Sequence, residues 1–150
     1  MWIELANLER IDKWDYRLPS NVYNDLIELR SMLITAGYTI SELAELDFSE
    51  GFAIPRSKHK AILNILESNI NRVYAALDFY YPYYRERVRY TDYYPGLSNL
   101  NRWVDFCNHL KAILEGEEGR PYPLYYDSTT PLYYEYGSPL YYPIYINEEV

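Results

Sequence analysis

Nucleophilic catalysis by a thiol needs an imidazole within hydrogen-bond reach, and the residues that come nearest to that pattern are Cys107 and His109. Both fall in a stretch of helical periodicity, where a separation of two residues points the side chains in different directions. Cys107 has apolar neighbours at that spacing, so a small buried hydrophobe is expected; a single cysteine forms no internal disulfide, which suits a reducing compartment. His59 stands between Lys58 and Lys60 in the first turn of another helical pattern and is expected in solvent. Two histidines and one cysteine make no recognisable metal set, the 22 carboxylates are scattered, and no HExxH, GxSxG, Walker A or GxGxxG pattern occurs. The expectation is a protein that is not an enzyme and that holds neither cofactor nor metal.

The residue types that stand out are suited to recognition instead. Of 20 tyrosines, seven lie between residues 80 and 94 and nine between residues 122 and 145. In the first segment Arg85, Arg87 and Arg89 alternate with Glu86, Val88 and Tyr90, so an extended chain would set three guanidinium groups on one face. Such a stripe could stack on single-stranded nucleic acid or pair with carboxylates and tyrosine rings. The second segment carries one tetrapeptide three times at a spacing of eight: Pro123-Leu124-Tyr125-Tyr126, Pro131-Leu132-Tyr133-Tyr134 and Pro139-Leu140-Tyr141-Tyr142. Eight is even, so in an extended chain equivalent side chains share a face, and Leu124, Tyr126, Leu132, Tyr134, Leu140, Tyr142 and Ile144 would form an apolar stripe. Tyr125, Tyr133, Tyr141 and Tyr145 add further contact area. Tyrosine combines a large surface with few rotors and a hydroxyl that tolerates water, the profile of interface residues.

These segments must be positioned by the rest of the chain. At 150 residues and 49% hydrophobic content, one domain with an appendage is expected. Residues 2 to 18 mix apolar positions at spacings of two and three, compatible with a short helix or an irregular wrap. Pro19 and Ser20 open a helix whose face is Val22, Leu26, Leu29, Leu33 and Ala36, closed by Gly37. Thr39-Ile40-Ser41-Glu42 has the spacing of a capping box and predicts a short helix to about Leu46. Ser57 is placed to cap a long helix carrying Ile62, Leu66, Ile70, Val73 and Leu77 to about Phe79, with Pro82 beyond it. Ser98 is placed to cap the last helix, with Leu100, Val104, Cys107, Lys111 and Leu114 on one side, Trp103, Phe106 and Leu110 beside them, and Gly116 at its end.

The predicted organisation is mainly α. Residues 1 to 116 form a small helical bundle, and residues 117 to 150 form a long Tyr/Pro-rich C-terminal arm, extended or short-stranded. Five of the nine prolines follow Gly116, and proline disfavours helix while allowing polyproline II or edge strand. Fully extended, residues 122 to 145 would reach roughly 75 Å. The alternatives for this segment are a meander completing its own domain and a disordered tail. Its composition is acidic, with Glu117, Glu118, Asp127, Glu135, Glu148 and Glu149 set against Arg120. Docking of that arm on a neighbour's arginine face is a possible head-to-tail contact.

A net charge of −8 argues against general affinity for nucleic acid or an anionic membrane. No secretory signal opens the sequence, and no apolar run approaches the roughly 18 residues that cross a bilayer. The partners expected are therefore proteins, copies of the chain itself among them. A short echo links Ser68-Asn69-Ile70-Asn71-Arg72-Val73 to Ser98-Asn99-Leu100-Asn101-Arg102-Trp103, too brief to establish a repeat.

Residues 63 to 70, and Ser98-Asn99-Leu100-Asn101-Arg102-Trp103 followed by Leu110, resemble helices of tail, baseplate and fibre proteins of bacteriophages that infect Gram-positive hosts. In those proteins such helices are packing elements. The resemblance implies a virion structural protein, made in the host cytoplasm and assembled as a homo-oligomer with other virion subunits, and it assigns no functional residue. The rival reading is a small acidic inhibitor that binds a host enzyme or defence protein through its negative surface.

Overall fold

The computed structural model describes residues 1–10, 13–85, 88–92, 95–123 and 141–144, with 120–123 and 141–144 described by backbone alone. The described chain is mainly helical: α1 (Arg17–Thr35), α2 (Arg56–Ala75) and α3 (Leu97–Leu114), with a single 3₁₀ turn at Gly51–Ala53. Two short strands follow, β1 (Arg120–Pro123) and β2 (Tyr141–Ile144). No helix among the described residues is long and apolar enough to cross a membrane.

Helix α1 packs against both α2 and α3. Its buried face is Val22, Leu26, Leu29 and Leu33, as the periodicity predicts, while Ala36 lies past the helix and is exposed. Helix α2 contributes Ile62, Leu63, Leu66, Ile70 and Val73, and α3 contributes Leu100, Trp103, Val104, Phe106, Cys107, Leu110 and Ile113. Both α1 and α3 stop at a glycine with positive φ, Gly37 at 96° and Gly116 at 77°. At each, the next two amides fold back on the last turn: Gly37 and Tyr38 donate to Ile34 and Leu33, Gly116 and Glu117 to Ile113 and Ala112. This is the Schellman arrangement, which needs a left-handed residue at that point.

The short helix expected at residues 39 to 46 does not form. The backbone there is held instead by side chains reaching out from the helices. Asn69 accepts from the Ala44 amide at 2.8 Å and donates to the Ala44 carbonyl at 3.0 Å. Arg72 donates to Glu42 O, and Arg30 donates to Ser41 O and Ile40 O. A capping box satisfies orphan amides only if a helix follows, and here those groups find partners in α1 and α2.

The same device recurs. Asn101 pairs with both amide and carbonyl of Leu8, at 2.7 and 3.0 Å, and Asn64 does so with Tyr90, at 2.7 and 3.2 Å. A side-chain amide with one donor and one acceptor edge imitates a neighbouring strand, so three asparagines fasten three irregular segments to the helices. Residues 1–10, left open between helix and wrap, form neither helix nor strand and are held this way, with Ile3 N donating to Asp25 and Asn108 donating to Leu5 O.

Helix α2 ends at Ala75, not near Phe79, and the two predicted serine caps are replaced by Pro55 and Gly96, with no side-chain cap bond. The early exit frees the tyrosines that follow to pack. Tyr81 is 2% exposed, sits edge-on to Phe106 and donates its hydroxyl to the Phe106 carbonyl. His59, expected in solvent, is buried: the Trp14 indole stacks on it at 4.0 Å, and the Ile54 carbonyl lies 3.1 Å from Nε2. A carbonyl only accepts, which places a proton on Nε2.

The strands pair antiparallel, with Arg120 opposite Ile144 and Pro123 opposite Tyr141. The pairing sets residue 141 beside residue 123, and the rest of the expected arm, residues 124 to 140 and 145 to 150, lies outside the described residues. Both strands are edges, which is where Pro121, Pro123 and Pro143 are tolerated without a backbone donor.

Candidate protein-binding surface

The residues expected to carry recognition divide between the helical body and the arm. On the body, Arg85 and Arg89 are exposed in the irregular segment between α2 and α3, while Arg87 lies outside the described residues. On the arm, Tyr141 and Tyr142 stand in β2 opposite Pro123 and Tyr122. Leu124, Tyr125, Tyr126, Leu132, Tyr133, Tyr134, Leu140 and Tyr145 lie outside the described residues.

The segment bearing the arginines is held by the tyrosines beside it. Tyr83 stacks on His109, centroid to centroid 3.6 Å and nearly parallel, and its hydroxyl donates to Glu118 at 3.0 Å. Tyr84 stacks on Tyr74 at 3.7 Å and donates to Asn71 at 2.8 Å. Tyr90 is buried, its backbone clamped by Asn64 and its hydroxyl donating to Glu67 at 3.0 Å. Four tyrosines of the first cluster are thus internal fasteners. Burial pushes the phenols of Tyr81 and Tyr90 above the usual range, and the Glu67 carboxylate adds to the effect at Tyr90.

Glu67 is a hub that periodicity does not announce. Its side chain is 1% exposed, and one oxygen receives Arg102, Trp103 Nε1 at 2.8 Å and the Tyr90 hydroxyl. A carboxylate on the buried face of a helix is costly without such partners, and these join α2 to α3. The legible signal is its placement: Glu67 falls four residues after Leu63 and three before Ile70, on the stripe that is otherwise apolar. The echo does not predict this, since Arg72, the counterpart of Arg102, binds a loop carbonyl instead.

Cys107 is fully buried, and burial raises its thiol pKa, the opposite of what a nucleophile needs. His109 turns to Glu118, with Nδ1 2.8 Å from a carboxylate oxygen, and ties the root of the arm to α3. Among the described residues no three His, Cys, Asp or Glu side chains converge as a metal site. No family model, curated protein or solved structure matches the chain.

Proposed function

We propose that the chain is a virion structural protein of a bacteriophage, whose C-terminal arm binds neighbouring subunits. The observation that carries this reading is where the helical body closes. The described buried core runs from Leu5 to Ile113, α3 is terminated at Gly116, and Glu118 is anchored by His109 and Tyr83. The sequence beyond carries the three Pro-Leu-Tyr-Tyr copies, on a body where Tyr81, Tyr83, Tyr84 and Tyr90 already have partners.

The role is mechanical: the helices build the subunit, and the arm supplies aromatic contact area to the next protein. A chain with this role acts without cofactor and is not an enzyme. The resemblance of residues 98 to 103 to phage packing helices supports the setting. In particles purified from cells carrying the encoding genome, the chain is expected at fixed stoichiometry, and a version ending at residue 116 is expected to be missing from them. An acidic inhibitor of a host protein gives the reverse, absence from particles and a strongly salt-dependent complex with one host target.

A further inference from the structure

We propose that the cleft between the segment after α2 and the first turns of α3 receives a carboxylate from the arm of a second copy, Glu135 with its flanking Tyr134 and Tyr136. This rests on the reading of the arm as a subunit-binding segment and names the surface it binds. The cleft measures about 240 Å³ and is lined by Pro82, Tyr83, Arg85, Ser98, Arg102 and Asp105, among others.

Three features of its wall select an acidic, aromatic occupant. Arg102 lines the cleft with a side chain only 7% exposed, and its Nη2 is shared between Glu67 and Asn99. Its Nε has no hydrogen-bond partner. That nitrogen is screened from solvent, so the guanidinium keeps positive charge that an oxyanion in the cleft would help to balance.

The second feature is the start of α3. The helix opens after Gly96 without a side-chain cap, and Leu100 N is bonded to Gly96 O, so the amides of the preceding turn have no intrahelical partner. They carry the positive end of the helix dipole, and Ser98 is exposed among them. The third is Arg85, exposed at the same cleft.

Asp105 on the wall offsets part of this charge and disfavours a dianion, which points to a single carboxylate rather than a phosphate. Pro82 and Tyr83 supply apolar and aromatic surface next to the cations. In the arm, Glu135 is the one acidic residue with a tyrosine on each side. Its segment joins two Pro-Leu-Tyr-Tyr copies, so docking of the carboxylate would bring both copies to the receptor's surface.

Charge exchange in the full-length chain tests the assignment, read as the self-dissociation constant from sedimentation velocity. Arg85→Glu and Glu135→Arg are each expected to weaken self-association about tenfold, and the double variant to regain most of the loss. Ser98→Asp fills the cleft with a resident carboxylate and should weaken association similarly. Asp is favoured in a first helical turn, so that variant should melt no lower than the native protein. If all three single variants associate like the native chain while removal of the arm abolishes association, the cleft is not the receptor and the arm reading stands. A native chain that is monomeric at every concentration removes the subunit-binding arm and this receptor together.

Discussion

The two tyrosine clusters differ in how their residues are spaced and in what that spacing serves. Between residues 80 and 94 the spacing is irregular, and Tyr81, Tyr83, Tyr84 and Tyr90 each meet a different partner: a carbonyl on α3, a histidine ring, a tyrosine ring and a buried carboxylate. Between residues 122 and 145 one tetrapeptide recurs every eight residues. A core has no two identical niches, so its contacts leave no period. A surface presented to repeated or extended partners keeps one. Composition alone treats the two clusters as equivalent; spacing separates them, and the contacts of the first show its tyrosines fastening the body.

The comparison can be broken most forcefully at the hub beneath the first cluster. Glu67→Ala leaves the Arg102 guanidinium buried without its counter-ion and removes the acceptor of Trp103 and Tyr90; a loss of about 4 kcal/mol in urea unfolding is expected. Tyr81→Ala should cost about 3 kcal/mol through the cavity beside Phe106 and the lost hydroxyl bond. Tyr133→Ala, in the second cluster, should change the same transition by less than about 0.5 kcal/mol. Equal losses at Tyr81 and Tyr133 would erase the distinction.

A smaller effect concerns how the N-terminal segment is held. Asp25 is buried on α1; Oδ1 accepts from Ile3 N and Oδ2 has no partner. Burial raises its pKa from 3.8 to about 6, so between these values the folded state holds a proton that the unfolded chain releases. Stability should therefore be greater near pH 4 than at pH 7, declining as pH rises through the window, by roughly 2 kcal/mol from this group. Asp25→Asn should flatten that dependence and raise the melting temperature at pH 7. An unchanged pH profile would place the titration elsewhere.

Much of the helical body was legible from periodicity and punctuation. The buried face of α1 and the stops at Gly37 and Gly116 follow from local rules, because apolar spacing and left-handed glycine act within a few residues. What escaped was decided across long separations. The Thr39 capping box lost to Asn69, Arg72 and Arg30, whose side chains occupy the backbone groups that a helix would have used. His59 is buried because Trp14 crosses it, and no pattern around Lys58 and Lys60 records that. Helix α2 ends at Ala75, well before Pro82, and the segment after it packs Tyr81 and Tyr83 on α3, a contact between distant residues that local spacing does not record.

The candidate surface was legible to a different degree. Alternation singled out Arg85 and Arg89, which are exposed, whereas the buried Arg102 at the same cleft gave no sign of itself, since its burial depends on Glu67 thirty-five residues away. Short strands were one of several conformations expected for the arm, but the pairing of β1 with β2 was not foreseen, because proline excludes helix without choosing among the extended alternatives or their partners.

The central claim is that the helical body stands alone and the arm joins it to a neighbour. The most direct measurement is the solution mass of the full-length chain and of a version ending at Gly116, by light scattering after size exclusion, with circular dichroism to verify the helices. The account predicts a defined oligomer for the full chain and a folded, helical monomer for the shorter one. A shorter chain that still forms the same oligomer would contradict it.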